Sequence, residues 1–309
     1  MVSQVHVPGG AVSPGHEPIK AIPVRHWGQW VSAAIVITIV GALAYSVGTN
    51  PNLQWSIVWQ YLFDNTILRG MLVTIELTVL SMAIGIALGI VLAVMRLSTN
   101  PVLTAVSGAY LGFFRGTPVL VQIVLWFNLA LIFPRIGFGS FSADTNSLIT
   151  PFGAALLALA LNEAAYMAEI VRGGIQSVDA GQPEAAHALG MPQSLTMRRI
   201  VLPQAMRVIV PPTGNEVITM LKTTSLVAVI GASELFTSAQ TIGARNFTTF
   251  QMLIVASIWY LVMTTVLTYI QMHVERRFAR GITQQGGGLS LHRRILANLR
   301  PGRVSGGGR

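Results

Sequence analysis

The 309-residue chain is 52% hydrophobic, carries charge on only 10% of its residues and has a mean hydropathy of +0.61, which excludes an ordinary soluble domain. Several apolar stretches exceed the roughly 18 residues that a bilayer-spanning helix needs, so the sequence predicts a helical membrane protein with several spans. The absence of cysteine excludes disulfides, iron–sulfur clusters and cysteine-based zinc sites, and the six histidines stand singly, without the spacing of metal ligands.

The net charge of +9 is distributed unevenly along the chain. Fourteen of the twenty lysines and arginines fall on segments predicted to share one side of the membrane, whereas three, Arg69, Arg135 and Arg245, fall on the other. Cytoplasmic loops of membrane proteins carry such an excess of basic residues. The charge therefore predicts that both termini are cytoplasmic, and it gives no reason to expect nucleic acid as a partner.

The N-terminal region is predicted to contain one helix outside the main bundle. Residues 1–27 have no apolar period and predict a disordered cytoplasmic arm. The apolar run Trp30–Val47 contains residues 42–44, Ala-Leu-Ala, which are typical of a signal-peptide cleavage site, but the preceding arm is unusually long for a signal peptide. We therefore expect residues 28–49 to be retained as an additional transmembrane helix, with cleavage as the alternative. The aromatic-rich residues 51–65 predict an interfacial segment on the outer face.

The next predicted span covers residues 66–97. Small residues recur in it at four-residue spacing, namely Ser81, Gly85 and Gly89. Small side chains placed in this way let two helices approach closely in lipid, so this face is predicted to pack against another span.

A span that breaks in its middle is predicted to follow. The apolar segments Val102–Phe114 and Val119–Phe133 are separated by residues 115–118, Arg-Gly-Thr-Pro. Thr117 directly before Pro118 is typical of a helix start, so Thr117 is predicted to cap the second half.

Three further apolar segments bring the predicted count to six spans. Residues 151–172 and 252–273 are uninterrupted, whereas residues 204–230 are interrupted at Pro211-Pro212 and again at the polar residues 222–225. The last part of that segment is predicted to be a half-helix with Thr224 or Ser225 as its cap. The loops predicted on the outer face are residues 134–150 and 234–250.

The longest polar segment between apolar blocks is residues 177–203, which we call the coupling loop. Asp179 can cap a helix start, and Pro183 suits the first turn of that helix. Gly190 stands where a left-handed residue after a helix is expected, and Pro192 is predicted to start a second helix.

The first short helix of the coupling loop has a distinctive polar face. Residues at three- and four-residue spacing share one side of a helix, which here groups Glu184, His187 and Ala188. The neighbouring Ala185 and Ala186 keep the helix narrow. A narrow helix with one carboxylate suits docking into a groove of another protein, although an ordinary connection between two spans is the alternative that spacing leaves open.

The coupling loop resembles the EAA loop of ABC-transporter permease subunits, in the form found in polar-amino-acid uptake permeases of the histidine, glutamine and arginine type. The residues that carry this resemblance are Glu184, Ala185, Ala186, Gly190, Ile200, Leu202 and Pro203. Three other segments are similar to the same family: Arg115-Gly116-Thr117-Pro118, residues 162–175 (NEAAYMAEIVRGGI) and residues 214–231 (GNEVITMLKTTSLVAVIG). The resemblance covers most of residues 66–277.

The resemblance implies an all-α integral membrane protein with the type I ABC importer permease fold, in which a five-helix core over residues 66–277 is preceded by one additional helix. It implies a multi-pass protein of the bacterial inner membrane that works with cytoplasmic ATP-binding subunits, a second permease subunit (the same chain or a homologue), an extracytoplasmic solute-binding protein and membrane lipids. In this family the coupling loop is seated in a cleft of the ATPase. Its contact residues would be Glu184, Ala185, Ala186, His187 and Gly190.

The chain itself is predicted not to be an enzyme. A Walker A loop needs a lysine after glycine, but the only lysines, Lys20 and Lys222, each follow an aliphatic residue. The glycines at 286–288 belong to residues 278–309, which predict a basic cytoplasmic tail rich in glycine and arginine. ATP and Mg²⁺ are therefore expected on the partner ATPase, with no cofactor in this chain.

Polar and ionisable residues at membrane depth are the candidates for a substrate path. A charge at the bilayer centre costs on the order of 2.5–3.5 kcal/mol, so each is expected to face a partner or a water-filled path. Glu169, three residues before Arg172, predicts a structural ion pair. The candidates for the path are Glu216, Lys222, Thr223, Asn215, Glu76 and Glu163, with a structural role as the alternative for the three glutamates.

A site for a zwitterion is predicted around Lys222. A helix that breaks at residues 222–225 would present unpaired N–H groups and the positive end of its dipole. Together with the Lys222 ammonium these groups suit an α-carboxylate, while Glu216 or Glu76 would meet an α-ammonium. The pattern favours a polar amino acid or a derivative as substrate. A secondary transporter or channel without an ATPase, and a membrane scaffold without a path, are the alternatives.

Overall fold

The structure is a computed structural model that describes residues 27–137 and 142–278. Residues 1–26 of the predicted arm and residues 279–309 of the predicted tail lie outside the described residues, whereas Trp27, also predicted in the arm, begins the first helix. Contacts between Cα atoms divide the chain into two units, Met1–Gln54 and Trp55–Arg309.

The first unit contains helix α1 (Trp27–Thr49), which is followed by a 3-10 turn at Pro51–Leu53. Its 23 residues are long and apolar enough to cross a membrane, and none of them is buried. A helix that is apolar all round and exposed all round suits lipid on every side.

The second unit consists almost entirely of helices. In chain order these are α2 (Trp55–Leu62), α3 (Asn65–Arg96), α4 (Pro101–Gly116), α5 (Val119–Phe127), α6 (Thr145–Leu148), α7 (Pro151–Gln176), α8 (Gly181–Ala188), α9 (Gln193–Thr196), α10 (Leu202–Thr223), α11 (Leu235–Asn246) and α12 (Thr249–Phe278). The predicted outer loop at residues 134–150 holds α6 and two short antiparallel strands, β1 (Arg135–Ile136) and β2 (Ala143–Asp144), in which Arg135 lies opposite Asp144.

Four of the described helices, α1, α3, α7 and α12, are each long and apolar enough to cross a membrane. Two bent segments pass the same test: α4 with α5, which meet at 101°, and residues 193–230 with α11, which meet at 46°. If each bent segment is one span the number rises to six, the number predicted from the sequence.

The centre of the second unit is the contact between α3 and α7. A Cβ atom added to Gly85 would lie 2.7 Å from Cγ of Glu163, and one added to Gly89 would lie 2.5 Å from Cβ of Met167. Because both glycines lie directly against α7, the prediction that this face of α3 packs closely against another span is confirmed.

Replacing Gly89 by alanine is expected to lower the free energy of unfolding by about 1–3 kcal/mol, because the added methyl group overpacks the contact with α7. Gly112 in α4 is the matched control, since a Cβ added there meets nothing within 4 Å. Thermal unfolding of the two purified variants measures the difference. Equal melting temperatures would contradict this account of the contact.

The break between α4 and α5 differs from its prediction. Thr117 does not cap α5; its hydroxyl donates to the carbonyl of Phe113 (2.8 Å), and α5 begins after Pro118 without a side-chain cap. A threonine hydroxyl can donate to the preceding turn as readily as it can accept from the next one. Here the hydroxyl of Thr117 donates to the last turn of α4.

Amide side chains satisfy the backbone carbonyls that this bend leaves free. Nε2 of Gln122 lies 2.9 Å from the carbonyl oxygen of Phe114 and 3.1 Å from that of Thr117. Asn162 of α7 donates to the same Phe114 carbonyl (2.9 Å) and to Oε1 of Gln122 (3.1 Å). These bonds hold a sharp bend at a depth where water is scarce.

Helix α10 continues through Pro211-Pro212, so the predicted interruption there is wrong. Proline is tolerated inside membrane helices where neighbouring groups replace the lost hydrogen bonds. Nε2 of Gln271 in α12 lies 3.4 Å from the carbonyl oxygen of Pro211 and 2.9 Å from Oδ1 of Asn215. Packing against α12 thus supports α10 at the point where its prolines remove backbone hydrogen bonds.

The predicted half-helix after residue 225 is also wrong. Helix α10 runs to Thr223 and passes without a gap into a 3-10 helix at Thr224–Ile230. The hydroxyls of Thr224 and Ser225 donate to the carbonyls of Leu221 and Lys222, both at 2.7 Å, instead of accepting from backbone N–H groups. Residues 222–225 therefore do not present the free helix N-terminus that the sequence predicted.

Residues 234–250, predicted as an outer loop, contain helix α11 instead. Its buried residues, Leu235, Ala239 and Gly243, recur every four positions, which is the face that packs. A Cβ atom added to Gly70 of α3 would lie 2.6 Å from Oγ of Ser238, so α11 lies directly on the first part of α3.

Candidate functional site

The coupling loop forms a short helix that ends at a left-handed glycine. Gly190 has a φ of +76°. Its N–H donates to the carbonyl of His187 (2.9 Å), and the N–H of Met191 donates to that of Ala186 (3.0 Å). This pair of bonds is a Schellman motif, in which glycine avoids the clash that a side chain would meet. The predicted role of Gly190 in ending α8 is confirmed.

The start of α8 follows its prediction only in part. Oδ1 of Asp179 accepts from the N–H of Gly181 at 2.8 Å, but the residue directly before the helix is Ala180, which has no capping side chain. Asp179 therefore holds the turn that leads into α8.

One side of α8 is anchored and the rest is exposed. Ala186 is 2% exposed, and α8 packs against the turn at Met197–Val201. Leu189 is 83% exposed. The residues predicted to contact the ATPase, Glu184, Ala185, His187 and Gly190, are all exposed, as is Ala188. The loop thus presents a polar helix with one carboxylate and one protruding leucine.

The segment between α9 and α10 is a π-helix, Met197–Val201, which carries Arg198 and Arg199. Leu202 and Pro203 follow directly and begin α10. Pro203 has no N–H to donate to the preceding turn, and the wider turn of the π-helix accommodates the missing hydrogen bond. The Leu-Pro pair therefore belongs to the junction between the coupling loop and α10.

Glu163 and Glu216 are brought together from α7 and α10, and we call them the carboxylate pair. Glu163 is 4% exposed, and no described residue forms a hydrogen bond with its Oε1. Glu216 is half-buried and close enough for the two carboxyl groups to interact electrostatically. Gly85 makes room for the Glu163 side chain against α3. No ion pair joins either carboxyl group to a described residue.

The other path candidates differ in their side-chain partners. Glu76 and Lys222 are exposed and form no ion pair or hydrogen bond through their side chains with a described residue. Thr223 donates to the carbonyl of Thr219 at 2.9 Å, and Asn215 binds Gln271, as described above. Asn215 and Thr223 therefore have structural partners among the described residues, whereas Glu76 and Lys222 have none there.

The predicted ion pair in α7 is confirmed and has a further member. Nη2 of Arg172 lies 2.6 Å from Oε2 of Glu169, and Nη1 of Arg115 lies 4.0 Å from the same oxygen. The Arg115 guanidinium also lies over the ring of Tyr166, 5.5 Å from its centroid. The Arg-Gly-Thr-Pro segment is thus tied to α7 by charge.

A buried carboxylate that the sequence did not reveal lies at the start of α11. Glu234 is fully buried. It accepts from the N–H groups of Phe236 (2.9 Å) and Thr237 (2.7 Å) and from the hydroxyl of Tyr260 (2.8 Å). Thr74 of α3 donates to it at 3.3 Å. Glu234 therefore joins α3, α11 and α12. The four-residue spacing of the buried face of α11 is a sequence signal that could have indicated this helix.

A bundle of apolar helices that holds buried carboxylates, with an exposed polar helix outside the bundle, is the arrangement expected of a membrane transport subunit. Among the described residues no group of three or more histidine, aspartate or glutamate residues could hold a metal ion.

Comparison with known proteins defines the family. Residues 85–280 match the family described as binding-protein-dependent transport system inner membrane component. The arginine transport system permease protein ArgU of Corynebacterium glutamicum is 49% identical over 89% of this chain and 88% of its own length. The arginine transport system permease protein ArtQ of Bacillus subtilis is 39% identical over 68% of this chain and 91% of its own.

Solved structures agree with this family. The crystal structure of an amino acid ABC transporter with histidines matches with a TM-score of 0.61 and 38% identity, over 69% of this chain and 94% of that chain. An inward-facing MetNI methionine ABC transporter matches with a TM-score of 0.57 and 18% identity, over 75% and 100% of the two chains, and shows the fold alone.

The chain belongs to the family of binding-protein-dependent transport system inner membrane components. It is an all-α integral membrane protein with the type I ABC importer permease fold, a multi-pass subunit of the bacterial inner membrane in an ATP-driven importer. The family is one of transport permeases, and the ATPase is a separate subunit.

Proposed function

We propose that this chain, together with a second permease subunit, forms the path along which a polar amino acid with a positively charged group is imported. The observation that carries this proposal is the carboxylate pair. Glu163 is 4% exposed, and its Oε1 has no hydrogen-bond donor among the described residues.

Ionising a buried carboxyl group that has no partner costs free energy, and a second carboxylate nearby increases that cost. A guanidinium or ammonium group of a substrate would supply both the missing charge and the missing donors. An amino acid that carries such a group is therefore the substrate class that the pair favours. The relatives ArgU and ArtQ are named as arginine transport permeases, which supports the same class.

The exposed charges support a second permease subunit, which is either the same chain or a homologue. Glu76 lies within α3 and Lys222 near the end of α10, and neither is paired with a described residue. A charge that faces hydrocarbon is costly, so both are expected to face the path or the neighbouring subunit. There Lys222 suits the α-carboxylate of an amino acid, and Glu76 or Glu216 suits its α-ammonium.

The coupling loop is the proposed contact with the cytoplasmic ATPase, which would bind ATP and Mg²⁺. Glu184, Ala185, His187 and Gly190 are exposed at the side of the chain that the basic residues place in the cytoplasm. In this orientation both termini are cytoplasmic, and a solute-binding protein delivers the amino acid from outside. ATP binding would draw the two coupling loops together and open the path outward.

Co-purification of the chain with its ATPase and its binding protein, followed by a panel of amino acids scored by ATP turnover, tests this function. A basic amino acid is expected to stimulate turnover most. Uptake by this chain alone in liposomes, driven by an ion gradient without an ATPase, would overturn the proposal in favour of a secondary transporter.

A further inference from the structure

A polar cleft lies between the first turns of α3 and the length of α11, and we call it the outer cleft. It has a volume of about 370 Å³, and eight of its ten lining residues are polar. Asn65, Thr66 and Arg69 line it from α3, and Thr237, Thr241 and Arg245 line it from α11. No residue of its lining is acidic.

The charge of the outer cleft is concentrated. Only three basic residues fall on the side of the membrane that the charge distribution places outside, and two of them, Arg69 and Arg245, line this one cleft. Both are exposed, and no ion pair joins either of them to a residue that the structure describes. Two free guanidinium groups among hydroxyl and amide groups make an anion-binding surface.

The walls of the outer cleft are fixed. Glu234 caps α11 and accepts hydrogen bonds from the hydroxyls of Thr74 in α3 and Tyr260 in α12. Close contact between Gly70 and Ser238 holds α11 against α3. A cleft on rigid helices keeps its two guanidinium groups at a set spacing, which favours a ligand with a matching arrangement of anionic groups.

We propose that the outer cleft is the docking site for an acidic surface of the importer's solute-binding protein, whose carboxylate side chains pair with Arg69 and Arg245. The open position of the arginines favours this partner over a free anion, because screening by salt leaves a single exposed ion pair little net energy. Several carboxylates held on one protein surface can engage both arginines at once and steer its approach.

The transporter reconstituted in nanodiscs, with its solute-binding protein loaded with amino acid, tests this site. The variants are Arg69→Glu, Arg245→Glu and the double variant. Arg135→Glu is the matched control, since it makes the same charge change on the same predicted face but lies on β1, outside the cleft. The dissociation constant is measured at 50 and 150 mM NaCl (assay conditions chosen to span about twofold in Debye length), alongside ATP turnover without binding protein.

The double variant is expected to weaken binding at least about tenfold at low salt and to flatten its salt dependence, while Arg135→Glu binds like the wild type. Turnover without binding protein should not change, which shows that the complex is intact. If the double variant does not assemble, Arg69→Gln and Arg245→Gln must each weaken binding.

Three results would overturn the proposal. Equal binding by the double variant and the control would remove the cleft from docking. If the wild type binds the solute-binding protein more tightly than the double variant only in nanodiscs that contain anionic lipid, the cleft is a site for a lipid headgroup. A changed KM for the amino acid with unchanged affinity for the binding protein would place the cleft in the substrate path.

The inference rests on the proposed importer function, and the two fail differently. If the wild-type transporter neither binds nor responds to a solute-binding protein, the function fails and the cleft assignment fails with it. If the wild type responds and the double variant responds equally, only the assignment of the cleft fails.

Discussion

Replacing Gly190 by valine is expected to reduce ATP-driven uptake at least about tenfold, because an L-residue in the left-handed region costs roughly 1–2 kcal/mol, and more when it is β-branched. The φ of Gly190 is +76°, and the turn that it makes sets the direction of α8 relative to α9. Valine would relax that turn and misplace α8, while the transmembrane helices keep their packing. Uptake by proteoliposomes and ATP turnover stimulated by the binding protein measure the effect.

Gly173 provides the control for the glycine substitution. It lies near the end of α7 with no atom within 4 Å of an added Cβ, and its φ is not positive. Gly173→Val should therefore leave uptake near the wild-type level. If Gly190→Val retained full uptake and full stimulation of the ATPase, the coupling role of this loop would be refuted.

Charge reversal at Glu184 tests the same contact without altering the backbone. Glu184 is exposed and has no partner among the described residues, so Glu184→Arg should not affect folding. It should abolish coupled transport if the carboxylate meets the ATPase. Gln182→Arg adds the same side chain two positions earlier, on a different face of α8, and is expected to have a smaller effect. Equal activity of the two variants would contradict a specific role for Glu184.

The parts of the fold that the sequence predicted well are those determined by residues that lie close together in the sequence. Gly190 ends α8 because the backbone there needs a residue without a Cβ, and that need can be read from a helix followed by glycine. Gly85 and Gly89 were predicted to pack closely because small residues at helical spacing let two helices approach each other closely in lipid. The pairing of Glu169 with Arg172 follows from their spacing within one helix.

The failed predictions of helix caps share a physical cause. Thr117, Thr224 and Ser225 were predicted to accept from the N–H groups of a following helix, but their hydroxyls donate to carbonyls of the preceding one. A hydroxyl can do either, and only the surrounding helices decide which. Helix α11 was predicted as a loop; half of its residues are polar, and several of these line the outer cleft.

The candidate site depends on contacts between helices distant in sequence. Glu163 and Glu216 were both named as candidates, but their proximity requires α7 to lie against α10. A close contact between Gly174 of α7 and Ile209 of α10 sets that arrangement. Glu234 was missed for the same reason, since the groups that bind it come from α3, α11 and α12. Spacing within a helix carries no information about such partners.

Replacing Glu163 by glutamine is expected to reduce uptake of a basic amino acid at least about tenfold, the change that roughly 1.4 kcal/mol of lost charge pairing produces. Glutamine keeps the shape of the side chain and removes its charge. Because Oε1 of Glu163 has no described hydrogen-bond partner and the carboxyl group interacts electrostatically with that of Glu216, neutralising it should leave the melting temperature unchanged or raise it. A substrate-binding role therefore predicts lost transport with retained stability.

The second carboxylate and a control complete the experiment. Glu216→Gln is expected to weaken uptake as well, and the two effects should not add, because both groups act on one charge. Glu275→Gln removes a carboxylate of α12 that binds Gln271 and lies outside the pair, so it should leave uptake unchanged. If Glu163→Gln lowered the melting temperature while uptake per folded transporter stayed constant, the pair would be a packing feature and the path would lie elsewhere.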